Sequence, residues 1–445
     1  MKIIFEEYCI ESKIFAIGFD NATNNTAAVP QLIQLCQPYF GGRFFHQRCA
    51  CHVLNICVQH GLQTLHEWIT PIRDALYYLW KHPNIMKQWA RYCKANGKHP
   101  IRFSRDVPTR WNSTYKLLCE SYEYRKLLVR FMQHNVNTIN LYEHHWDVCT
   151  KICMFLKVFH DATHSLSGIY YPTTHLFLFD ALNIVGALNE CAQINELVPC
   201  VYAMREKWIN YYRDIPVIYT IASVFDPRNK FNSLYEFFTL YYQSLGIMDI
   251  DVSGLYNNVR NLFYSMYDKY RSVYGLSLNI IVQQLEPSGS GSTSHLRFPF
   301  TLRKLGASVF TKKVRMSGSS SSSTYVSEVD VYINTSFEFL DTPDFNVLQW
   351  WREHETNFPI LAIIAKQIFG TPVSIVTVEQ EFSAGGNVLD ERRALLSPDS
   401  IQIQVCVDDW TKATYQQQEL DLVSDENDFF DTNEDTTATE GTSDD

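Results

Sequence analysis

Two pairs in this sequence, Cys49-x-x-His52 and Cys57-x-x-His60, have the residue types and spacing of metal chemistry. Thiolate and imidazole are zinc donors, and an i, i+3 spacing sets each pair on one helix face. Cys49 to Gln59 has helical spacing ended by Gly61, so all four donors are expected on one continuous helix. Pairs so placed on a single rod cannot wrap one tetrahedral ion, and a buried thiol beside a hydrogen-bonded histidine is the plainer expectation. Arg110-Trp111, ahead of a helical pattern, offers a different chemistry. The guanidinium can pair with phosphate while the indole stacks on an unstacked base; the other reading is a tryptophan that seals a helical core. Trp350 and Trp351 are adjacent large rings, and one of them is expected to meet a partner, or else to seal against helices of the same chain. Asp20, in Asp20-Asn21-Ala22-Thr23-Asn24-Asn25, suits a turn that caps the next helix. Glu379, taken alone, is one more helix carboxylate.

The elements that must position these groups follow from apolar spacing. Lys13 to Phe19 is a short apolar run closed by the Asp20 turn, and it reads as a buried strand. A helix through Val29–Leu35 follows, with Pro30 expected in its first turn. Gly41-Gly42 breaks the chain, and Arg43 to Arg48 reads as a second strand. From about Leu65 to Tyr274 the spacing is helical throughout, as in Leu117, Leu118, Tyr122, Leu127, Leu128 and Phe131. Residues 284–327 are rich in Ser and Gly and are expected to be a linker. The linker carries a basic cluster of Arg303, Lys304, Lys312, Lys313 and Arg315, which is either solvated or suited to phosphate contact or nuclear import. Apolar helical patterns return from 328 to about 413, with Asp409-Trp410 expected to anchor their end.

Composition narrows the class. The chain has 445 residues, 46% of them hydrophobic and 14% aromatic, enough for more than one core. No run reaches the ~20 apolar residues of a membrane span, and acids interrupt the N-terminus before a signal core forms. A soluble, intracellular protein is expected, and the twelve scattered cysteines read as reduced thiols. The net charge of −10 is unevenly placed. Eleven of the 48 acids lie between Glu419 and Asp445, where there is no Lys or Arg, so the first 418 residues hold 37 acids against 38 bases. The acidic tail is expected to be disordered, and the neutral body neither demands nor forbids nucleic acid.

Six phrases, in order, resemble hAT-family transposases of the plant sleeper type. They are Phe19–Asn25, Phe45–Asn55, Asp106–Tyr115, Phe225–Lys230, Phe345–Trp351 and Val378–Asn387. The resemblance implies an α+β, predominantly helical fold. A ribonuclease-H-like core, incomplete here, is interrupted by a large all-α insertion and followed by a C-terminal helical dimerisation region. The implied domains are 1–64 for the partial core, 65–283 for the insertion, 284–327 for the linker, 328–413 for the dimerisation region with the last core helix, and 414–445 for the tail.

The family joins DNA with an Asp-Asp-Glu triad that holds two metal ions, since hard carboxylates suit Mg²⁺. Asp20 matches its second aspartate and Glu379 its glutamate. The first aspartate, and a zinc-finger module, have no counterpart in these residues, so the chain reads as the C-terminal two-thirds of such a protein, truncated at its N-terminus. Cys49, His52, Arg110 and Trp111 are the implied DNA contacts, although a buried Cys49 and a core Trp111 remain open. Trp350, Trp351, Phe358, Pro359, Leu361 and Phe382 are the implied dimerisation residues.

The expected function is a domesticated or decayed transposase-like protein that dimerises and associates with DNA without strand transfer. Its expected partners are a second copy or a related hAT protein, and DNA held weakly and nonspecifically; no membrane is expected. No cofactor is expected unless residual metal-dependent nuclease or transposase activity persists, which would need Mg²⁺ at Asp20 and Glu379. Nuclear residence rests on the resemblance and the small basic cluster.

Overall fold

A computed structural model of the chain describes residues 2–107, 109–136, 138–284, 327–335, 337, 345–376, 378–379 and 397–415. The described structure is predominantly helical. The basic cluster, Phe382 and the acidic tail beyond 415 lie outside the described residues.

Among the described residues the sheet has two strands, β1 (Ile17–Phe19) and β2 (His46–Arg48), paired in parallel with Ile17 opposite His46 and Phe19 opposite Arg48. A parallel pair needs a crossover, and helix α2 (Thr23–Cys36) provides it. Both strands are shorter than the apolar runs that announce them. Two strands alone are marginal, so the pair depends on what covers it. Leu32 and Cys36 of α2 and Phe5 of α1 (Lys2–Tyr8) form a buried cluster with Phe45, against which Ile17 and Phe19 pack.

Helix α2 starts at Thr23, so Pro30 is interior and not in the first turn as expected. Proline removes the donor that the Thr26 carbonyl would receive, and both residues are exposed, where water can satisfy that oxygen. Gly42 has φ +82°, and a Cβ there would stand 2.9 Å from Ile33, so the turn into β2 requires glycine twice over.

Helix α3 (Ala50–Leu62) contains Gly61 instead of ending before it. A Cβ at Gly61 would strike the Met204 side chain and stand 2.8 Å from the Cys200 sulfur. Close helix approach, not helix termination, explains this glycine.

The chain divides into two compact units: Met1–Val53 with Ser165–Asn189 and Trp208–Ile401, and Leu54–His164 with Glu190–Lys207 and Gln402–Asp445. The stretch expected as a single helical insertion is therefore divided between them. In the second unit, α4 (His66–Lys81), α5 (Pro83–Ala95), α6 (Trp111–Tyr122), α7 (Arg125–Asn135) and most of α8 (Glu143–Leu166) are amphipathic helices. Trp89 is fully buried at their centre, with the Phe131 ring 5.3 Å away and the Tyr124 and Phe103 rings each 6.2 Å away.

The first unit is built from α9 (Phe177–Cys191), the end of α10 (Val198–Tyr212), α11 (Val217–Phe225), α12 (Leu234–Leu245), α13 (Val252–Gln284), α14 (Glu328–Asn334), α15 (Val347–His354) and α16 (Pro359–Phe369). Helix α11 is apolar all round and buried from Ile218 to Phe225. The carbonyls at its C-terminal end have no intrahelical partner. The Tyr332 hydroxyl donates to the Val224 carbonyl and the Trp351 indole donates to the Phe225 carbonyl, each at 2.9 Å. At the other end of this packing the Glu328 carboxylate accepts from the Leu361 amide at 2.8 Å, satisfying the first turn of α16. Burial pushes the Glu328 carboxyl up to about 7.

Trp350 and Trp351 are both buried, at 8% and 4% exposure, within packing supplied by their own chain. Helix α15 is packed from two sides of the same chain. Trp351 meets Phe225 and Tyr332, while Trp350 stacks on His354 at 3.9 Å and meets Phe337 edge-on at 4.9 Å. The last helix, α17 (Pro398–Tyr415), leaves Trp410 66% exposed, and from Gln402 onward it groups with the second unit, so Asp409-Trp410 does not close the unit of α14 to α16.

Candidate functional site

The carboxyl ends of β1 and β2 and the start of α3 carry Asp20, Arg48, Cys49 and His52. Asp20 makes the turn that its neighbours suggest: one carboxylate oxygen accepts from the Ala22 amide at 3.0 Å and from the Asn25 side chain at 2.6 Å. Those bonds, and the nearby His52, hold its carboxyl below the ordinary value.

Cys49 is a hub. Its amide donates to the Phe19 carbonyl at 2.8 Å, extending the β1–β2 ladder by one bond. Its sulfur accepts from the His52 amide at 3.4 Å and the Ile375 amide at 3.3 Å, and lies 3.5 Å from the Ser374 hydroxyl. The Ala50 amide donates to the Val373 carbonyl at 2.9 Å. These bonds fasten the segment 373–375 to the start of α3, and the exposed Glu379 follows one turn later, its amide bonded to the Ile375 carbonyl at 3.0 Å. The pairing Cys49-x-x-His52 thus acts first as a helix start: the thiol fills the capping role that Ser or Thr plays elsewhere.

The two carboxylates of the implied triad are brought near consecutive residues of α3, with Asp20 sensed by His52 and Glu379 by Cys51. Among the described residues no three side chains of His, Cys, Asp or Glu converge in a way that could hold a metal ion. One Asp20 oxygen is already occupied by two donors.

The second candidate is the loop before α6. Asp106 organises it, accepting from the Thr114 hydroxyl at 2.7 Å and the Ser113 hydroxyl at 3.2 Å and pairing with Arg73. Asn55 clamps the other side, donating to the Thr109 carbonyl at 3.2 Å and accepting from the Trp111 amide at 3.4 Å. Arg110 is left exposed at the start of α6, while Trp111 is buried at 2% exposure. An indole so enclosed cannot stack on a base, and the core-sealing alternative describes it. The arginine is the half of the pair that faces out.

The implied dimerisation residues Trp350, Trp351, Phe358 and Leu361 belong to the interior of the first unit, and Pro359 opens α16. Sequence reading missed Ser374, Asn55, Asp106 and Arg48 as participants. Each lies inside or beside a quoted phrase, but a Ser or Asn shows no role until the chain is folded. Arg48, directly before Cys49 and after an apolar run, was the one legible signal.

Comparison with known proteins places this geometry. Residues 323–411 match the hAT family C-terminal dimerisation region. Residues 47–155 match the ZBED1 RNase-like helical domain. Over 431 residues the chain is 28% identical to a Zea mays protein named as an AC transposase, covering 92% of this chain and 50% of that one. It is 26% identical over 380 residues to the zinc finger BED domain-containing protein RICESLEEPER 2 of Oryza sativa, covering 83% and 51%. The resemblance read from the six phrases is thereby shown. The chain spans about half the length of the curated relatives it matches, not two-thirds.

Proposed function

We propose that this relative of the hAT transposases works as a homodimer, joined through the region around 323–411, that associates with DNA in the nucleus. The match of that region to the family's dimerisation region carries the reading. The buried Trp350, Trp351, Phe358 and Leu361 then act by building the α14–α16 scaffold that presents the interface. The β1–α2–β2 unit with α3 is the part of a ribonuclease-H-like core that these residues supply. DNA contact is weak and nonspecific, through exposed cations such as Arg110 and not through Trp111.

In this reading the 445-residue chain does not perform strand transfer by itself. Asp20 serves its turn, with one oxygen committed to Ala22 and Asn25. The competing reading is a residual metal-dependent nuclease that uses Asp20 and Glu379; the ionised state favoured for Asp20 speaks for it.

Light scattering on the full chain at micromolar concentration tests the first claim. A dimer mass is expected, and a monomer would remove the central statement. Incubation of supercoiled plasmid with Mg²⁺ tests the second. Nicking that disappears in Asp20→Asn would replace the binding reading with the nuclease one.

A further inference from the structure

Between α15, α16 and the loop 166–173 lies a groove of about 540 Å³, all of it in the first unit. Each helix gives it one stripe. Leu348, Arg352 and Glu355 recur at i, i+4 and i+7 along α15 and its cap, and Ala362, Lys366 and Phe369 do the same along α16. Leu348 is 43% exposed, so the apolar lining continues out onto the surface. Arg352 and Lys366 are exposed and form no ion pair among the described residues. Glu355 is the one acid of the lining, so the groove carries two cations against one anion. A concave apolar surface with a few charged groups at its rim is built to receive something amphipathic and acidic.

Both helical walls fall inside residues 323–411, the stretch that matches the family's dimerisation region, so the partner expected there is a second copy of the chain. The same groove of that copy cannot be the occupant. A two-fold contact of the groove with itself would set Arg352 and Lys366 against cations of their own kind. The occupant must be a different and acidic part of the copy. The chain concentrates acids in 416–445, outside the described structure, where eleven of them meet no Lys or Arg. The aromatic residues of that stretch are Phe429 and Phe430, enclosed by Asp428 and Asp431. The ten residues from Tyr415 to Asp425 span at most ~35 Å when extended, enough to pass from one copy to another.

We infer that the groove is a docking site for the segment Asp425–Asp431 of a second copy, exchanged in both directions across the homodimer. The Phe429-Phe430 pair supplies the apolar side chain that fills the floor, and the flanking carboxylates meet Arg352 and Lys366 at the rim. Ring burial holds the segment, while the exposed charges select an acidic one and weaken with salt. The inference rests on the proposed homodimer and adds what each copy offers the other.

Carbodiimide coupling of the full chain tests this. The reagent activates a carboxylate as an O-acylisourea, the Lys366 amine attacks it, and the amide forms as the urea leaves. Products are separated by mass on a denaturing gel and mapped by mass spectrometry. An amide between Lys366 and an acid of 425–431 is expected in the band of twice the chain mass and not in the single-chain band. Arg352→Glu, at an exposed position, should lower that product about fivefold. Phe429→Ser combined with Phe430→Ser leaves every charge in place and should lower it about as much. Both variants are checked for native circular dichroism.

An unchanged yield in the double phenylalanine variant would reduce the contact to charge attraction and overturn the groove as its site. A Lys366 amide confined to the single-chain band would overturn the exchange between copies. Absence of the amide from protein that light scattering shows to be dimeric would overturn the inference and leave the homodimer standing. A monomer mass would remove the homodimer, and the inference with it.

Discussion

Two loops of this protein are written in nearly the same residues and come to opposite ends. Asp106-Val107-Pro108-Thr109-Arg110 precedes α6 in one unit, and Asp226-Pro227-Arg228-Asn229-Lys230 follows α11 in the other. Asp226 is fully buried and accepts from the Arg228 amide at 3.0 Å, from Nε at 2.9 Å and from Nη2 at 2.6 Å. The same guanidinium lies 4.5 Å from the centre of the Phe345 ring. Lys230 is buried as well, donating to the Tyr332 carbonyl at 2.8 Å and to the Thr335 carbonyl. Both cations of this loop are used to dock Tyr332, Thr335 and Phe345.

Asp106 takes its donors from Arg73, Ser113 and Thr114, and Arg110 remains outside. An arginine near an aspartate is available to a partner only when other donors have already filled that carboxylate. Coulomb attraction alone would have tied both arginines down; the arrangement of neighbouring hydroxyls decides which one is spared.

The comparison can be broken by removing its two acids. Asp226→Ala should have the largest effect, about 3 kcal/mol lost in urea unfolding, because the buried carboxylate accepts the Arg228 amide and its exposed guanidinium at once and all those bonds are lost together. A loss below about 0.5 kcal/mol would mean that Arg228 and Phe345 hold without the carboxylate. Asp106→Ala should cost about 2 kcal/mol in the same measurement, as two hydroxyls and Arg73 lose their acceptor. It should also weaken DNA binding by misplacing Arg110, which Asp226→Ala should not do at temperatures where it remains folded.

Lys230 sharpens the contrast through pH. Burial pushes its amine down to about 8, from an ordinary 10.5. An amine lowered on folding contributes stability above its ordinary value and loses it as pH falls through the folded one. The unfolding free energy should therefore rise between pH 8 and 10.5, on the order of 3 kcal/mol from this group. Lys230→Met should lose that slope relative to the parent; parallel curves would show that the amine stays charged in its site. The smallest effect is expected for Arg110→Gln, with stability unchanged within about 0.5 kcal/mol and DNA binding about fivefold to tenfold weaker. Equal DNA affinity would place the contact elsewhere on the chain.

Much of this was legible before folding. The apolar runs at 13–19 and 43–48 announced both strands, and helical spacing announced α4 to α13, because periodicity records which face is buried. Boundaries were less legible. Thr23 starts α2 well before Val29, and Gly61 continues α3, since an exposed carbonyl tolerates Pro30 and a neighbouring Met204 side chain requires Gly61. The candidate sites were legible as phrases but not as roles. Trp111, Trp350 and Trp351 carry the composition of contact residues and prove to be core, because indole area is worth most where water is excluded.

By itself the sequence determined the helical class, the resemblance to the hAT transposases and the charge imbalance between body and tail. Each of these depends on residue identity and local spacing alone. Only the tertiary structure decided that Cys49 fastens the segment before Glu379, that Arg228 is spent and Arg110 is spared, and that Arg352 and Lys366 line one groove. These outcomes depend on partners far apart in the chain, such as Cys49 with Ile375 and Lys230 with Tyr332, and their meeting follows from how apolar faces bury one another.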